Sequence, residues 1–177
     1  DEYLTDRLTS MALNFMGQSK DKPFFLYLSH FSVYDPIQGR KDLVDKYRVK
    51  LATLPPLEGP PFILEGNPDD QAPLSREKLM DLLGKSSHQG HKVLPQRTIK
   101  IKQRQDNVEF AAMVESVDES LGRVLEKLDE MGQTDSTIVI FYSDNGGMSA
   151  GNFGNPARVV QQNQLDRAYA TSNLPLR

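Results

Sequence analysis

The spacing of apolar residues between 107 and 131 constrains this chain more than any other feature. Phe110, Val114, Val117, Leu121, Val124, Leu128 and Met131 alternate steps of four and three, which is the period of one helical face. Asp106 or Asn107 would cap this helix, and Gly132 stands where a left-handed C-terminal residue belongs. A few residues later, Thr137-Ile138-Val139-Ile140-Phe141-Tyr142-Ser143 is β-branched and apolar almost throughout. That composition marks a central strand, and the short linker is the length α/β units prefer.

The rest of the chain extends the pattern. Leu4, Leu8, Met11 and Phe15 form an apolar stripe over residues 4–18, with Thr5 as a plausible cap and Gly17 near the end. Phe24-Phe25-Leu26-Tyr27-Leu28 reads as a parallel strand buried on both faces, and Asp35-Pro36 ends it. Residues 41–50 read as a short charged helix, and 75–83 as another with Ser75 as its cap. Six of the eleven prolines fall at 55, 56, 60, 61, 68 and 73, so about 51–105 is expected to be an irregular insert, with one edge strand at Thr98–Lys102. The order of elements predicts an α/β fold whose sheet is mostly parallel and flanked by helices. The length of 177 residues suits a single domain, 1–177.

Composition narrows the function. With 21 basic and 24 acidic residues the net charge is −3, and no basic footprint for nucleic acid is present. No apolar run is long enough for a membrane span. Cysteine is absent, which removes disulfides, thiolate metal sites and a cysteine nucleophile from these residues.

Asp144 and Asn145 follow the carboxyl end of the best strand, where α/β sheets bind ligands. Their oxygens suit a hard cation such as calcium or magnesium, and Gly146-Gly147 lets the backbone turn closely around one. A plain Asn-Gly turn is the competing reading. Calcium takes about 6–8 oxygens, so two residues supply only part of a site. His30 and Tyr34 follow the first strand; either would suit anion contact or proton transfer, while for His30 a satisfied core histidine is the preferred reading. His88 and His91 make an H-x-x-H in a polar loop with no acidic or cysteine partner nearby, a weak case for zinc. Lys100, Lys102 and Arg104 read as a solvated face.

Ser143-Asp144-Asn145-Gly146-Gly147 after the Ile-Val-Ile-Phe strand resembles the formylglycine-dependent sulfatases of the alkaline-phosphatase-like superfamily. So do Tyr3-Leu4-Thr5-Asp6-Arg7-Leu8, Phe25-Leu26-Tyr27-Leu28-Ser29-His30-Phe31, Ala111-Ala112-Met113-Val114-Glu115-Ser116-Val117-Asp118 and the tail Thr171-Ser172-Asn173-Leu174-Pro175-Leu176-Arg177. The motifs occur in family order over most of the chain, with only about 50–100 weakly matched.

The resemblance implies a partial alkaline-phosphatase-like α/β fold and hydrolysis of aryl or carbohydrate sulfate esters. It implies a Ca²⁺ ion with Asp144 and Asn145 among its ligands. Family members are often periplasmic or secreted. The family nucleophile lies in a Cys/Ser-x-Pro-x-Arg motif that these residues do not contain, nor do they contain the paired N-terminal aspartates. The formylglycine is therefore expected outside this chain, which reads as the middle segment of a sulfatase catalytic domain, inactive alone. Tyr34-Asp35-Pro36 stands where the family usually has His-Thr-Pro, so Tyr34 aligns with a histidine that contacts the sulfate. A phosphodiesterase or phosphatase of the same superfamily, or a non-catalytic binding module derived from a sulfatase, are the alternatives.

Overall fold

A computed structural model describes residues 2–19, 21–34, 36–56, 58–85, 91–92, 94–147, 150–153, 160–161 and 171–172. The chain divides into two compact units: Asp1–Leu54 with Val108–Asp144, and Pro55–Asn107 with Asn145–Arg177.

The first unit is helical. It contains α1 (Leu4–Gln18), α2 (Lys41–Thr53) and α4 (Val108–Glu130), with a 3₁₀ turn at Thr134–Ser136. The helices form where the apolar period predicts them. Gly132 adopts φ +64° after α4, and the Gln133 N–H reaches back to the Leu128 carbonyl, closing the helix end. The buried faces differ from the expected ones. In α1 the buried residues are Thr5, Thr9, Ala12 and Met16, while Leu4, Met11 and Phe15 of the expected stripe are exposed. In α4 they are Ala112, Met113, Ser116, Ser120 and Leu128, and Val114 is exposed. Small and hydroxylated side chains let helix backbones come close. Thr9 Oγ1 lies 2.6 Å from Ser120 Oγ, a contact that branched apolar side chains at these positions would prevent.

On its other flank α4 meets α2 through Leu43, Val44 and Ala112, with Tyr47 and Val108 against them. Gly39, just before α2, fits only because it has no side chain. A Cβ there would stand 2.6 Å from Ala112 Cβ and 2.7 Å from Val44 Cγ2. Its N–H donates to Glu109 Oε2 at 2.8 Å.

The second unit holds the sheets: β1 (Phe62–Glu65), β2 (His91–Lys92), β3 (Thr98–Lys102), β4 (Ala150–Phe153) and β5 (Val160–Gln161), with α3 (Arg76–Lys85). The strand order is β1-β3-β4, and β2 pairs with β5. All three ladders are antiparallel. The expected Thr98–Lys102 strand is therefore present as β3, but as a central strand and not an edge. Its partner β4 lies in a glycine- and asparagine-rich stretch without strand periodicity, and its partner β1 lies inside the proline-rich stretch expected to be irregular. Ser75 caps α3 as expected, its Oγ accepting the Lys78 N–H at 3.3 Å. Leu79 and Leu83 of α3 pack on Phe62, Leu64 and Leu94.

Central position also overturns the solvated reading of Lys100 and Lys102, which are 1% and 5% exposed. Pairing on both edges satisfies the β3 backbone, and its side chains, which project from the sheet faces, are mostly buried and must find partners within the unit. The Lys100 ammonium lies over the Phe62 ring, 4.6 Å from its centroid, where the ring's negative face attracts it. Lys102 pairs with Asp106 at 2.6 Å, and Arg104 donates to the Gly59 carbonyl.

The chain is α/β, with a partial alkaline-phosphatase-like fold. The mostly parallel sheet is not formed among the described residues, because Phe24–Leu28 and Thr137–Ser143 carry no ladder partner there. Phe25 and Tyr27 are 86% and 81% exposed, whereas Phe24, Leu26 and Leu28 are half-buried. This alternation is the period-two pattern of a strand with one face covered, not of one buried on both faces.

Candidate functional site

The Phe24–Leu28 segment leads into the turn that carries Tyr34. Three hydrogen bonds fix this passage. The Tyr34 N–H donates to the Phe31 carbonyl at 3.1 Å, closing the turn. Ser32 Oγ lies 3.0 Å from Thr5 Oγ1 of α1, and His30 Nε2 lies 3.0 Å from Ser120 Oγ of α4. The Ser32–Val33 peptide is cis. Tyr34 itself is 70% exposed, and its hydroxyl makes no hydrogen bond among the described residues.

His30 is thus bonded at Nε2 and partly enclosed, but its buried Nδ1 has no hydrogen-bond partner among the described residues, so it is only half of the satisfied core histidine expected. Burial pushes its pKa below the ordinary 6.5, because a cation in a dry setting is disfavoured.

Asp144 and Asn145 stand at the end of the Thr137–Ser143 segment, and both are exposed. The segment continues from the 3₁₀ turn with Ile138, Ile140 and Tyr142 at 89%, 81% and 84% exposure. The Asn145 amide nitrogen donates to the Gly146 carbonyl at 2.8 Å. The donor chemistry fits calcium, but no group of three or more metal-ligating side chains occurs among the described residues. Asp144 and Asn145 adjoin by chain order alone, and within the helical unit Tyr34 makes no hydrogen bond to Asp144.

His88 lies outside the described residues, and of His91 only its backbone place in β2 is described, so the H-x-x-H falls largely outside them.

A charge cluster in the helical unit escaped the sequence reading. Arg40 donates to Asp42 Oδ1 at 2.8 Å, to Glu119 Oε2 at 2.7 Å and to Asp6 Oδ1 at 3.2 Å. It ties all three helices together. The hydrogen bonds to Asp42 and Glu119 hold the guanidinium charged far above neutrality, and the same contact holds the Asp42 carboxyl below its ordinary value. Lys46 and Glu115 form a second pair across α2 and α4, which raises the lysine and lowers the carboxyl. The missed hydroxyl seam did leave a trace in the sequence: Thr5 and Thr9, and Ser116 and Ser120, are spaced by four residues on their helices.

Comparison with known proteins decides the lineage. The sulfatase family model matches residues 1–172. The chain belongs to the sulfatase family. It is 31% identical over 147 residues to an uncharacterized sulfatase of Schizosaccharomyces pombe, covering 81% of this chain and 25% of that protein. It is 28% identical over 141 residues to the multifunctional alkaline phosphatase superfamily protein PehA of Trinickia caryophylli, covering 78% and 26%. An arylsulfatase of Klebsiella aerogenes is 24% identical over 165 residues, covering 85% and 31%. The chain thus spans between a quarter and a third of the length of these relatives. No helix among the described residues of this sulfatase-family chain is long and apolar enough to cross a membrane.

Proposed function

We propose that these residues form part of a calcium-assisted sulfate ester hydrolase acting on aryl or carbohydrate sulfates. The observation that carries the reading is the sulfatase match over residues 1–172, which takes in Tyr34, Asp144 and Asn145. In this reading Asp144 contributes a carboxylate and Asn145 an amide oxygen to the calcium ion, with further ligands and the formylglycine supplied from outside the 177 residues. When bound, the ion would supply Lewis-acid polarisation of a sulfate oxygen. Asp144 adds the negative charge that holds the cation, and Gly146-Gly147 gives the backbone room to approach it. Tyr34 takes the place of a family histidine. A phenol donates a hydrogen bond but brings no cation to the sulfate, so its contact with the ester is weaker than an imidazolium's.

The test is hydrolysis of an aryl sulfate by the full-length protein. Asp144→Ala is expected to lower kcat/KM by a factor on the order of 10² or more, by analogy with the loss of one electrostatic stabiliser in an active site. Full activity in that variant would remove the metal role. A second reading, a phosphodiesterase of the same superfamily, is supported by the similarity to PehA, whose name describes a multifunctional alkaline phosphatase superfamily protein. Faster turnover of an aryl phosphodiester than of the aryl sulfate would favour it.

A further inference from the structure

Asn145 is the one asparagine of this chain that glycine follows. Asn67 and Asn155 precede proline, and the rest precede larger side chains. The difference is chemical. An asparagine side chain brings its amide carbon, Cγ, within reach of the backbone nitrogen of the next residue, and joining the two closes a five-membered ring. Proline has no N–H to lose there, a side chain on the next residue crowds the closure, and glycine obstructs it least.

The backbone at Asn145 is open to this reaction. Asp144 and Asn145 form a bend, Gly146 belongs to no helix or strand, and Asn145 and Gly146 are both exposed. The Gly146 N–H makes no hydrogen bond among the described residues, so no acceptor there holds the proton that the nucleophilic nitrogen must lose. The Asn145 amide nitrogen donates to the Gly146 carbonyl at 2.8 Å, which turns the side chain along the backbone that follows it. Other described asparagines are placed differently. Asn14 lies inside α1 and Asn152 inside β4, where backbone pairing fixes the dihedrals that ring closure would have to change. Asn107 precedes the β-branched Val108 at the start of α4.

We propose that Asn145 is a site of self-modification, converting to aspartate and isoaspartate through attack of the Gly146 nitrogen on its Cγ. The Gly146 amide gives its proton to hydroxide, and the freed electron pair forms the N–Cγ bond. The Cγ–Nδ2 bond breaks, and the amide leaves as ammonia with a proton from water. The cyclic imide then takes up water. Addition at Cγ restores the ordinary main chain and leaves aspartate. Addition at the Asn145 main-chain carbonyl leaves the chain running through Cγ, as isoaspartate. In sum, water is consumed and ammonia released, with no oxidant or reductant. Either product puts a second carboxylate next to Asp144 in sequence, and isoaspartate also lengthens the main chain by a carbon. In the calcium reading this alters a metal ligand and sets a lifetime on the site. That consequence rests on the calcium reading; the modification itself does not.

The test ages the full-length protein in ¹⁸O-labelled water at pH 6 and pH 8, with a calcium chelator present. Mass spectrometry of the peptide containing Asn145 reads the conversion, since ring opening incorporates the label, and fragmentation separates the two products. Asn145 is expected to convert before any other asparagine, faster at pH 8, with both products formed. Gly146→Ala is expected to slow the change about tenfold or more, because its Cβ crowds the nitrogen. The urea-unfolded chain serves as the reference and needs no folded variant. Conversion in the folded protein more than about a hundredfold slower than in that reference would mean that local opening is required first, and overturns the proposal. Aspartate formed without isoaspartate also overturns it, since direct hydrolysis makes no ring. Repeating the ageing with calcium in place of chelator keeps the two readings apart. A slower rate supports Asn145 as a ligand, because bound metal holds the folded arrangement. An unchanged rate counts against the ligand role and leaves the modification standing.

Discussion

Each compact unit has an apolar cluster, but they differ in the polar side chains they bury beside it. In the sheet unit, leucines converge from α3 and β1 on a conventional apolar core, and even the lysines of β3 are enclosed. In the helical unit the buried residues of α1 and α4 mix threonines, serines and alanines with Met16, Met113 and Leu128, while Phe25, Tyr27, Ile138 and Ile140 face outward. The difference shows that residue type alone does not name the buried face. A lysine on a covered sheet face can be buried when it has a ring or carboxylate to meet, and close helix packing selects small side chains over large ones. In the helical unit, hydrogen bonds and ion pairs are added to the apolar cluster between α2 and α4.

The contrast is open to attack first in the sheet unit. Leu79 is wholly buried, so Leu79→Ala is expected to cost about 2–5 kcal/mol. Phe25→Ser in the helical unit, although it removes a larger apolar side chain, is expected to cost less than about 0.5 kcal/mol, because that ring is already in water. Urea denaturation of both variants checks the pair. A Phe25→Ser loss as large as that of Leu79→Ala would show that the exposed face is covered in solution.

Gly39 tests the helical unit more narrowly. A Cβ there meets Ala112, Val44 and the Glu109 carbonyl, all closer than 3.0 Å. Gly39→Ala is expected to destabilise by about 1–3 kcal/mol through overpacking, read as a lower denaturation midpoint. Arg40→Ala removes the hub of three carboxylates. Its side chain is 24% exposed and its partners are more open, so solvent screening limits the loss to about 1 kcal/mol. That loss should shrink as salt is added; one that persists in high salt would mean packing and not charge holds this corner.

Much of this organisation was legible beforehand, and the residues show why the remainder was not. The bounds of α1 and α4 follow from apolar period and from Gly132, which local backbone chemistry determines. The buried face does not follow, because Leu4 and Met11 satisfy the same period as Thr5 and Ala12, and only tertiary contact chooses between them. The β3 strand was visible in Thr98–Lys102, but its central place depends on β1 and β4, hidden among prolines and glycines. At the candidate site, the chain placed Asp144 and Asn145 after an apolar segment, and the structure keeps them there. The hydroxyl chain behind Tyr34 was not readable, since Ser120 and His30 are ninety positions apart and no local pattern links them.

The smallest expected effect is also the one that separates the imidazole from the ion pairs of the helical unit. His30 has its pKa lowered from 6.5 by burial, so in the range just below that value the unfolded chain binds the proton and the folded one does not. Stability gained from the neutral ring is therefore complete above pH 6.5 and declines as pH falls toward the folded value. Asp42 and Glu115 are lowered from 3.8 and 4.5 by their hydrogen bonds to Arg40 and Lys46. Their contribution is present above those values and is lost only at lower pH. A decline between pH 6.5 and 5 that disappears in His30→Gln would assign this limb to the imidazole, leaving the carboxylates to a second limb below about pH 4.5. The same decline in both proteins would place its cause elsewhere, and the hydroxyl seam would then hold the helices without regard to the state of His30.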